Sequence, residues 1–363
     1  MAEVQDWMAL AKPDAEWEQV PELQLGTSRV LQQNVVLIIP QMVETAMGGQ
    51  APDLGVFPDI ESLRQWISAA KQATSAVMGG NFESVKETDH QVSMRDGAEI
   101  TCRVYSPEKP PADGSPLVVL FHGGGWCIGG LENEELQCRL MTSKLGVTAV
   151  NVDYRLAPEH KFPVPVHDCH DATKWAASNA SSLGADPSKG FVIGGTSAGG
   201  NMTAVVAHQC RDDKMSPPLT GCLLMIPAYC HVDSMPEKYK KDYQSYEQNK
   251  NAPILTQKAM DLFSDNYIPN VSDRKDPLFS PLLWPTGHAN LPPSFFQICG
   301  QDPLRDEALI FERIMREEEG LKTKVEIYPG LPHGFHSVVP TMKASQKFVD
   351  DTVEGVKWLL EQK

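Results

Sequence analysis

The stretch "GFVIGGTSAGGN", residues 190–201, places Ser197 among small residues directly after a short apolar run. The apolar run predicts a buried strand and the segment from Asn201 onward predicts a helix, so the serine lies at a strand-to-helix turn. In a Gly-x-Ser-x-Gly elbow the strained serine backbone lifts the hydroxyl above the sheet, and glycines at either side avoid collisions of Cβ atoms. Ser197 is therefore the candidate nucleophile.

A glycine loop precedes this elbow in the chain. The segment "FHGGGWC", residues 121–127, follows the apolar run "PLVVL", and its glycines 123–125 can turn their backbone amides toward one point. Such a loop, together with the amide after the nucleophile, is typical of an oxyanion hole. A phosphate-binding loop is the alternative, but no Gly-Lys-Ser/Thr follows. We expect His122 to hold the loop in shape by hydrogen bonding.

A serine nucleophile needs a base and an orienting acid, which follow it as acid and then histidine in this type of sheet. Asp302 follows the apolar run "FFQIC" and His333 follows "KVEIYPG", so both come just after the carboxyl end of a predicted strand. Asp306 and His336 are the competing residues. We favour Asp302 because Asp306 lies on a predicted helix, and His333 because it precedes Gly334 at a loop apex.

The apolar runs and the intervals between them predict an α/β fold. Runs at 116–121, 147–154, 191–195, 222–229, 294–300 and 324–330 predict strands, and segments 133–145, 167–182 and 305–319 predict helices between them. This alternation is typical of a mainly parallel sheet with helices on both faces. The alternating stretch around Asp96-Gly97 predicts a hairpin that adds antiparallel edge strands.

Two regions depart from this alternation. Residues 1–85 contain helical patterns at 30–46 and 58–78 without strands, and residues 231–285 contain one at 256–267. We predict that both regions form a helical lid, whereas 86–230 and 286–363 form the catalytic core. The aromatic residues of the lid could line a pocket or pack the lid onto the core; they are Trp7, Trp17, Tyr239, Tyr243, Tyr246, Phe263 and Tyr267.

Composition limits the partners. Lys and Arg total 32 against 47 Asp and Glu, a formal charge of −15, which disfavours nucleic acid and anionic membrane surfaces. The acidic N-terminus lacks the pattern of a signal peptide and no run is long enough for a membrane anchor, so we expect an intracellular, cytoplasmic protein. The 8 cysteines lack metal spacing and are expected to be buried free thiols. No metal or cofactor is indicated.

Taken together, these motifs resemble the hormone-sensitive-lipase-like family of α/β-hydrolases. The matching pieces are "HGGGW" at 122–126, "VDYRLAPEHKFP" at 152–163, "GTSAGGN" at 195–201, "DPLRDE" at 302–307 and "HGF" at 333–335. The resemblance implies an α/β-hydrolase fold, with a mostly parallel eight-stranded sheet flanked by helices and a helical cap. It also implies the residue roles, namely a Ser197, Asp302 and His333 triad, an oxyanion hole from Gly124, Gly125 and Ala198 beside Gly123, and structural roles for Tyr154, Arg155 and Glu159.

One position departs from the family pattern. The family usually has Asp where this chain has Thr196, and a threonine carries no charge but can donate as well as accept a hydrogen bond. We expect this exchange to alter rate or substrate preference without abolishing the chemistry.

The predicted activity is hydrolysis of a small-molecule ester through an acyl-enzyme. The resemblance favours short- to medium-chain acyl groups, or an acetyl group on a larger, specialised metabolite. A repurposed enzyme of a biosynthetic pathway, such as a cyclase, lyase or acyltransferase, is the alternative. A small-molecule receptor is a third interpretation, disfavoured because His333 is present. The sequence does not choose between a monomer and a homodimer.

Overall fold

A computed structural model gives the fold and describes residues 6–19, 53–74, 82 and 84–362. Its centre is an eight-stranded sheet with the order β1-β2-β4-β3-β5-β6-β7-β8. The strands are β1 (Val85–Ser93), β2 (Glu99–Pro107), β3 (Leu117–Phe121), β4 (Thr148–Asp153), β5 (Phe191–Thr196), β6 (Gly221–Met225), β7 (Ser294–Gln301) and β8 (Thr323–Pro332). Strand β2 is antiparallel to β1 and β4, and the other neighbours are parallel. The predicted mostly parallel α/β sheet is confirmed.

Ten α-helices connect or flank these strands within the described ranges. They are α1 (Ala15–Glu18), α2 (Ile60–Thr74), α3 (Glu135–Leu145), α4 (Val164–Ser178), α5 (Ala198–Asp212), α6 (Ser245–Gln248), α7 (Gln257–Tyr267), α8 (Arg305–Arg313), α9 (Phe335–Val338) and α10 (Lys343–Leu360). A π-helical turn, Ile314–Glu318, continues α8. Short 3-10 turns include Trp7–Ala11, Leu54–Val56 and Leu131–Asn133. In these ranges, no helix combines the length and apolar character needed to cross a bilayer.

The sheet separates two apolar cores because successive strand residues point to opposite faces. On β3, Val119 and Phe121 face the core formed with α4, α5 and α8. Val118 and Leu120 face the other core, formed with α3 and α10. Strands β3 to β7 are buried at nearly every position because both faces of the sheet are covered there, whereas the edge strand β1 is mostly exposed. All eight cysteines are free and buried, as predicted.

Helices α2 and α7 come from the two regions predicted to form a lid. Arg64 on α2 donates to the Glu159 carboxylate at 2.7 Å and to the Ala157 carbonyl at 2.7 Å, near the carboxyl end of β4. Asp53 accepts from the Thr256 hydroxyl at 2.7 Å, which joins the start of α7 to the segment before α2. These bonds hold both helices over the carboxyl ends of the strands. The helix predicted at 30–46 lies outside the described residues.

The first described segment packs against the β7–β8 edge of the sheet. The Asp14 amide donates to the Gly330 carbonyl at 3.2 Å. A Cβ at Gly300 would lie 2.0 Å from the Leu10 carbonyl oxygen, so this contact requires a glycine. The segment therefore lies beside the strands that lead to Asp302 and His333.

Candidate active site

Ser197 occupies the turn between β5 and α5 with a backbone φ of 55°, which is unusual for a residue other than glycine. Its amide donates to the Met225 carbonyl at 2.8 Å, which ties the turn to β6. A Cβ at Gly195 would lie 2.5 Å, and one at Gly199 2.0 Å, from the Phe121 carbonyl oxygen. Glycines therefore stand on both sides of the serine because the backbone of β3 leaves no room for side chains.

His333 lies between Ser197 and Asp302. Its Nε2 is 2.8 Å from Ser197 Oγ, and its Nδ1 is 2.7 Å from Asp302 Oδ2. Asp302 is 1% exposed and also accepts from the Leu304 amide at 2.9 Å, which fixes the carboxylate. Both residues follow directly after parallel strands, β7 and β8, whose carboxyl ends meet at this edge of the sheet. The fold thus brings the three predicted residues into one hydrogen-bonded chain.

The two competing residues lie elsewhere. Asp306 is fully buried, not solvated, and its Oδ2 accepts from the Gln244 and Ser245 amides at 2.7 and 2.6 Å. It therefore stabilises the start of α6. His336 stacks on Phe348 with ring centroids 3.9 Å apart. Burial lowers the pKa of His336 to about 3, so its imidazole is neutral.

The glycine loop faces the same space as Ser197. Gly124 has a φ of +127°, and a Cβ there would lie 2.1 Å from the Ile128 carbonyl oxygen. Gly125 has a φ of +56°, and its Cβ would lie 2.3 Å from the Phe263 ring. Both glycines line the cavity with Ala198, the first residue of α5, whose amide precedes the first intrahelical hydrogen bond.

His122 packs behind this loop. Its Nδ1 donates to the Gly123 carbonyl at 2.8 Å, and its ring stacks on Tyr154 with centroids 4.1 Å apart. The Tyr154 hydroxyl donates to the His122 carbonyl at 2.8 Å. Arg155, the next residue, pairs with the buried Asp168 at 2.6 Å. Loop and strand end are thus held by a network of hydrogen bonds and stacked rings.

Glu134 is a cavity-lining residue that sequence reasoning missed. It is 2% exposed, and burial raises its pKa to about 7, although its interactions with the Thr196 hydroxyl and the Gly123 backbone act in the opposite direction. Its position in the sequence, between the glycine loop and α3, is the feature from which a place in the cavity could have been predicted. An acidic residue before a helix is usually a solvated charge, so the pattern alone does not distinguish a buried carboxyl.

The cavity above Ser197 has a volume of about 420 Å³ and a mainly apolar lining. Several lining side chains come from the two lid regions, namely Leu54, Trp66, Ile67, Tyr243, Tyr246, Met260 and Phe263. Of the seven lid aromatics considered above, Tyr243, Tyr246 and Phe263 line the cavity. Tyr267 instead is fully buried against Trp126, with ring centroids 4.8 Å apart. No group of three His, Cys, Asp or Glu among the described residues could hold a metal ion.

Comparison with known proteins agrees with this arrangement. A family model described as alpha/beta hydrolase fold matches residues 118–337. The chain belongs to this alpha/beta hydrolase family. The hydrolase is 44% identical over 278 residues to an AB hydrolase superfamily protein of Schizosaccharomyces pombe, covering 77% of this chain and 81% of the relative.

A second relative carries the name of an enzyme. The hydrolase is 36% identical over 323 residues to versiconal hemiacetal acetate esterase of Dothistroma septosporum, covering 88% of this chain and 93% of the relative. Among solved structures, vibralactone cyclase has a TM-score of 0.78 and 39% identity over 88% of this chain and 94% of its own. The family and its esterase relatives identify the chain as a carboxylic ester hydrolase of the hormone-sensitive-lipase-like type.

Proposed function

We propose that the protein is a serine carboxylesterase for short- to medium-chain acyl esters, including acetyl esters of larger metabolites. The observation that carries the proposal is the hydrogen-bonded chain from Ser197 Oγ through His333 to Asp302, with distances of 2.8 and 2.7 Å. Ser197 and His333 line the cavity of about 420 Å³, and the glycine loop lines it as well.

The first half of the reaction acylates the serine. Ser197 Oγ attacks the ester carbonyl while His333 Nε2 accepts the hydroxyl proton. The amides of Gly124, Gly125 and Ala198 stabilise the negative charge that develops on the carbonyl oxygen. His333 then returns the proton to the leaving alcohol. Asp302 holds the Nδ1–H tautomer and stabilises the imidazolium.

The second half releases the acid. Water enters after the alcohol has left and gives a proton to His333 as its oxygen attacks the acyl carbonyl. The same amides stabilise the second tetrahedral intermediate, and the proton returns to Ser197 Oγ. Because each half needs both the histidine and the glycine-loop amides, the reaction depends on the loop as much as on the serine.

A series of p-nitrophenyl esters, from acetate to long acyl chains, tests this proposal. We expect hydrolysis that declines with acyl length and is lost in Ser197→Ala. Ser182→Ala is the matched control because this serine is exposed on the surface, and it should retain full activity and fluorophosphonate labelling. Hydrolysis that survives in Ser197→Ala, or an intact protein that neither turns over the esters nor reacts with the fluorophosphonate, contradicts the proposal.

A second candidate is intramolecular acyl transfer, favoured by the 39% identity to vibralactone cyclase over 88% of the chain. In this case a hydroxyl of the acyl group, not water, attacks the acyl-enzyme, and a lactone leaves. Reaction in ¹⁸O-labelled water separates the two. Hydrolysis places ¹⁸O in the acid product, whereas cyclisation gives an unlabelled lactone.

A further inference from the structure

Among the described residues that line the cavity with Ser197, five have a buried side-chain N or O atom without a hydrogen-bond partner. Two of these atoms are the indole nitrogens of Trp66 and Trp126, and the other three are Glu134 Oε2, Gln137 Oε1 and His336 Nδ1. The three residues are 2%, 7% and 7% exposed, respectively. A buried polar atom without a partner is costly, so such atoms in a binding cavity point to a ligand that supplies the missing bond.

The three side chains lie at one face of the sheet. Gln137 is on α3 and follows Glu134 by three residues, while His336 stacks on Phe348 of α10. Helices α3 and α10 share the core that contains Cys138 and Phe348. The three residues therefore lie on or against these two helices.

Thr196 lies between the nucleophile and the part of the cavity beside α3 and α10. It precedes Ser197 and interacts with Glu134, and its Oγ1 lies 3.9 Å from Met225 Sδ. Met225 Sδ in turn lies 3.8 Å from the Thr352 hydroxyl of α10. The side chain of Thr196 is thus on the α3–α10 face, so Glu134 interacts with the residue that precedes the nucleophile.

We propose that Glu134, Gln137 and His336 form a polar recess that binds a hydroxyl group of the substrate, so that the natural substrate is a hydroxylated ester. This inference rests on the proposed esterase function and names its substrate class. A hydroxyl suits the recess because it donates one hydrogen bond and accepts others, whereas Glu134 and Gln137 present acceptor oxygens. A substrate anion is disfavoured beside the Glu134 carboxyl.

Two pairs of esters test the recess, one for each half of the substrate. The acyl pair is p-nitrophenyl butyrate and each enantiomer of p-nitrophenyl 3-hydroxybutyrate. The alcohol pair is butyl acetate and 4-hydroxybutyl acetate. We expect at least one hydroxylated ester to exceed its unsubstituted partner by about tenfold in kcat/KM, the gain typical of one additional well-made hydrogen bond.

Substitution identifies the groups responsible. In Gln137→Leu and in Glu134→Leu, the ratio of kcat/KM between hydroxylated and unsubstituted ester should fall toward one. Gln209→Leu is the matched control because Gln209 Oε1 is also unpartnered but does not line the cavity. This control should keep the wild-type ratio. Thermal unfolding and fluorophosphonate labelling show that each variant is folded.

The outcomes separate this inference from the esterase proposal. If the unsubstituted esters are hydrolysed through Ser197 but none of the three hydroxylated esters is preferred, the recess holds only water and the inference is overturned. A preference that survives in both leucine variants overturns it as well. If none of the esters is turned over, the inference fails, and if the fluorophosphonate does not label the protein either, the esterase proposal fails as well.

Discussion

The carboxylates of Asp302 and Asp306 lie on either side of the start of α8 and have different partners. Asp302 Oδ2 is 2.7 Å from His333 Nδ1, whereas Asp306 Oδ1 accepts from the Arg305 guanidinium at 2.7 Å. Asp306 Oδ2 accepts from two amides at the start of α6. Asp302 thus orients the histidine that contacts the candidate nucleophile, whereas Asp306 binds the region 231–285 to the core.

Because the two carboxylates have different partners, two matched substitutions should affect different properties, catalysis in one case and stability in the other. Asp302→Asn should reduce kcat by about 10⁴ with little change in thermal stability, because asparagine favours the wrong histidine tautomer. Asp306→Asn leaves the buried Arg305 without a counter-charge and should lower the free energy of unfolding by about 3 kcal/mol. Ester hydrolysis and urea denaturation measure the two effects. Equal losses of kcat in both variants would contradict the assignment of Asp302 to the triad.

The glycine loop predicts a loss of rate that backbone strain alone does not explain. In Gly124→Ala the new Cβ would collide with the Ile128 carbonyl, so the loop must move. Its amides would then no longer point at the carbonyl oxygen of the substrate. We expect kcat to fall by about 100- to 1,000-fold. Gly287→Ala is the control: it also has a positive φ, of +70°, but nothing lies within 4 Å of its Cβ. It should alter stability and leave kcat within about twofold, as for a surface position.

The contact between Thr196 and Glu134 makes the departure from the family pattern testable. Because Glu134 has a pKa of about 7, it is largely ionised at pH 8.5. In Thr196→Asp a second carboxylate would then repel it and oppose the developing oxyanion. Relative to wild type, we expect kcat/KM to fall by at least about tenfold more at pH 8.5 than at pH 6. Hydrolysis at pH 6 should remain measurable.

Thr196→Asn separates charge from shape in this experiment. It has nearly the same size as the aspartate variant but adds no charge, so its pH profile should run parallel to that of the wild type. If both variants lose activity equally at pH 8.5, repulsion of Glu134 is not the cause. An aspartate variant without activity at any pH would contradict the expectation that the triad tolerates this exchange.

The sequence was sufficient to predict the sheet and to predict that Ser197, Asp302 and His333 lie close together, since both depend on local patterns. Apolar runs located strands β3 to β8, and the order of residues after the strand ends selected Asp302 and His333. The family resemblance added the sheet size and the cap. These signals suffice because the carboxyl ends of parallel strands must meet at one edge of the sheet.

The contents of the cavity could not be predicted in the same way. Glu134 and Gln137 have the pattern of an exposed helix start, but both are buried in the folded protein. Asp306 has the pattern of a solvated or N-terminal helix charge, and it does lie in the first turn of α8, but it is buried and accepts from the Ser245 amide, 61 positions away in sequence. Burial of a polar side chain depends on contacts between distant segments, which a local pattern does not contain.

A buried histidine pair predicts that acid destabilises the protein. His208 Nδ1 donates to the Ala204 carbonyl at 2.7 Å, and its Nε2 lies 2.9 Å from His288 Nδ1. Burial lowers the pKa of His208 to about 3 and that of His288 to about 4. Below about pH 6.5 the unfolded chain binds protons that the folded pair excludes, so stability falls as pH falls.

Each of these histidines should contribute a slope of about 1.4 kcal/mol per pH unit to the free energy of unfolding between pH 6.5 and its folded pKa. Urea denaturation at pH 7, 6 and 5 measures this slope. His208→Leu should be less stable at pH 7, because His288 loses its partner, yet its slope should be shallower by about one proton. His160→Leu, at an exposed position, should keep the wild-type slope. An unchanged slope in His208→Leu would show that other groups cause the acid sensitivity.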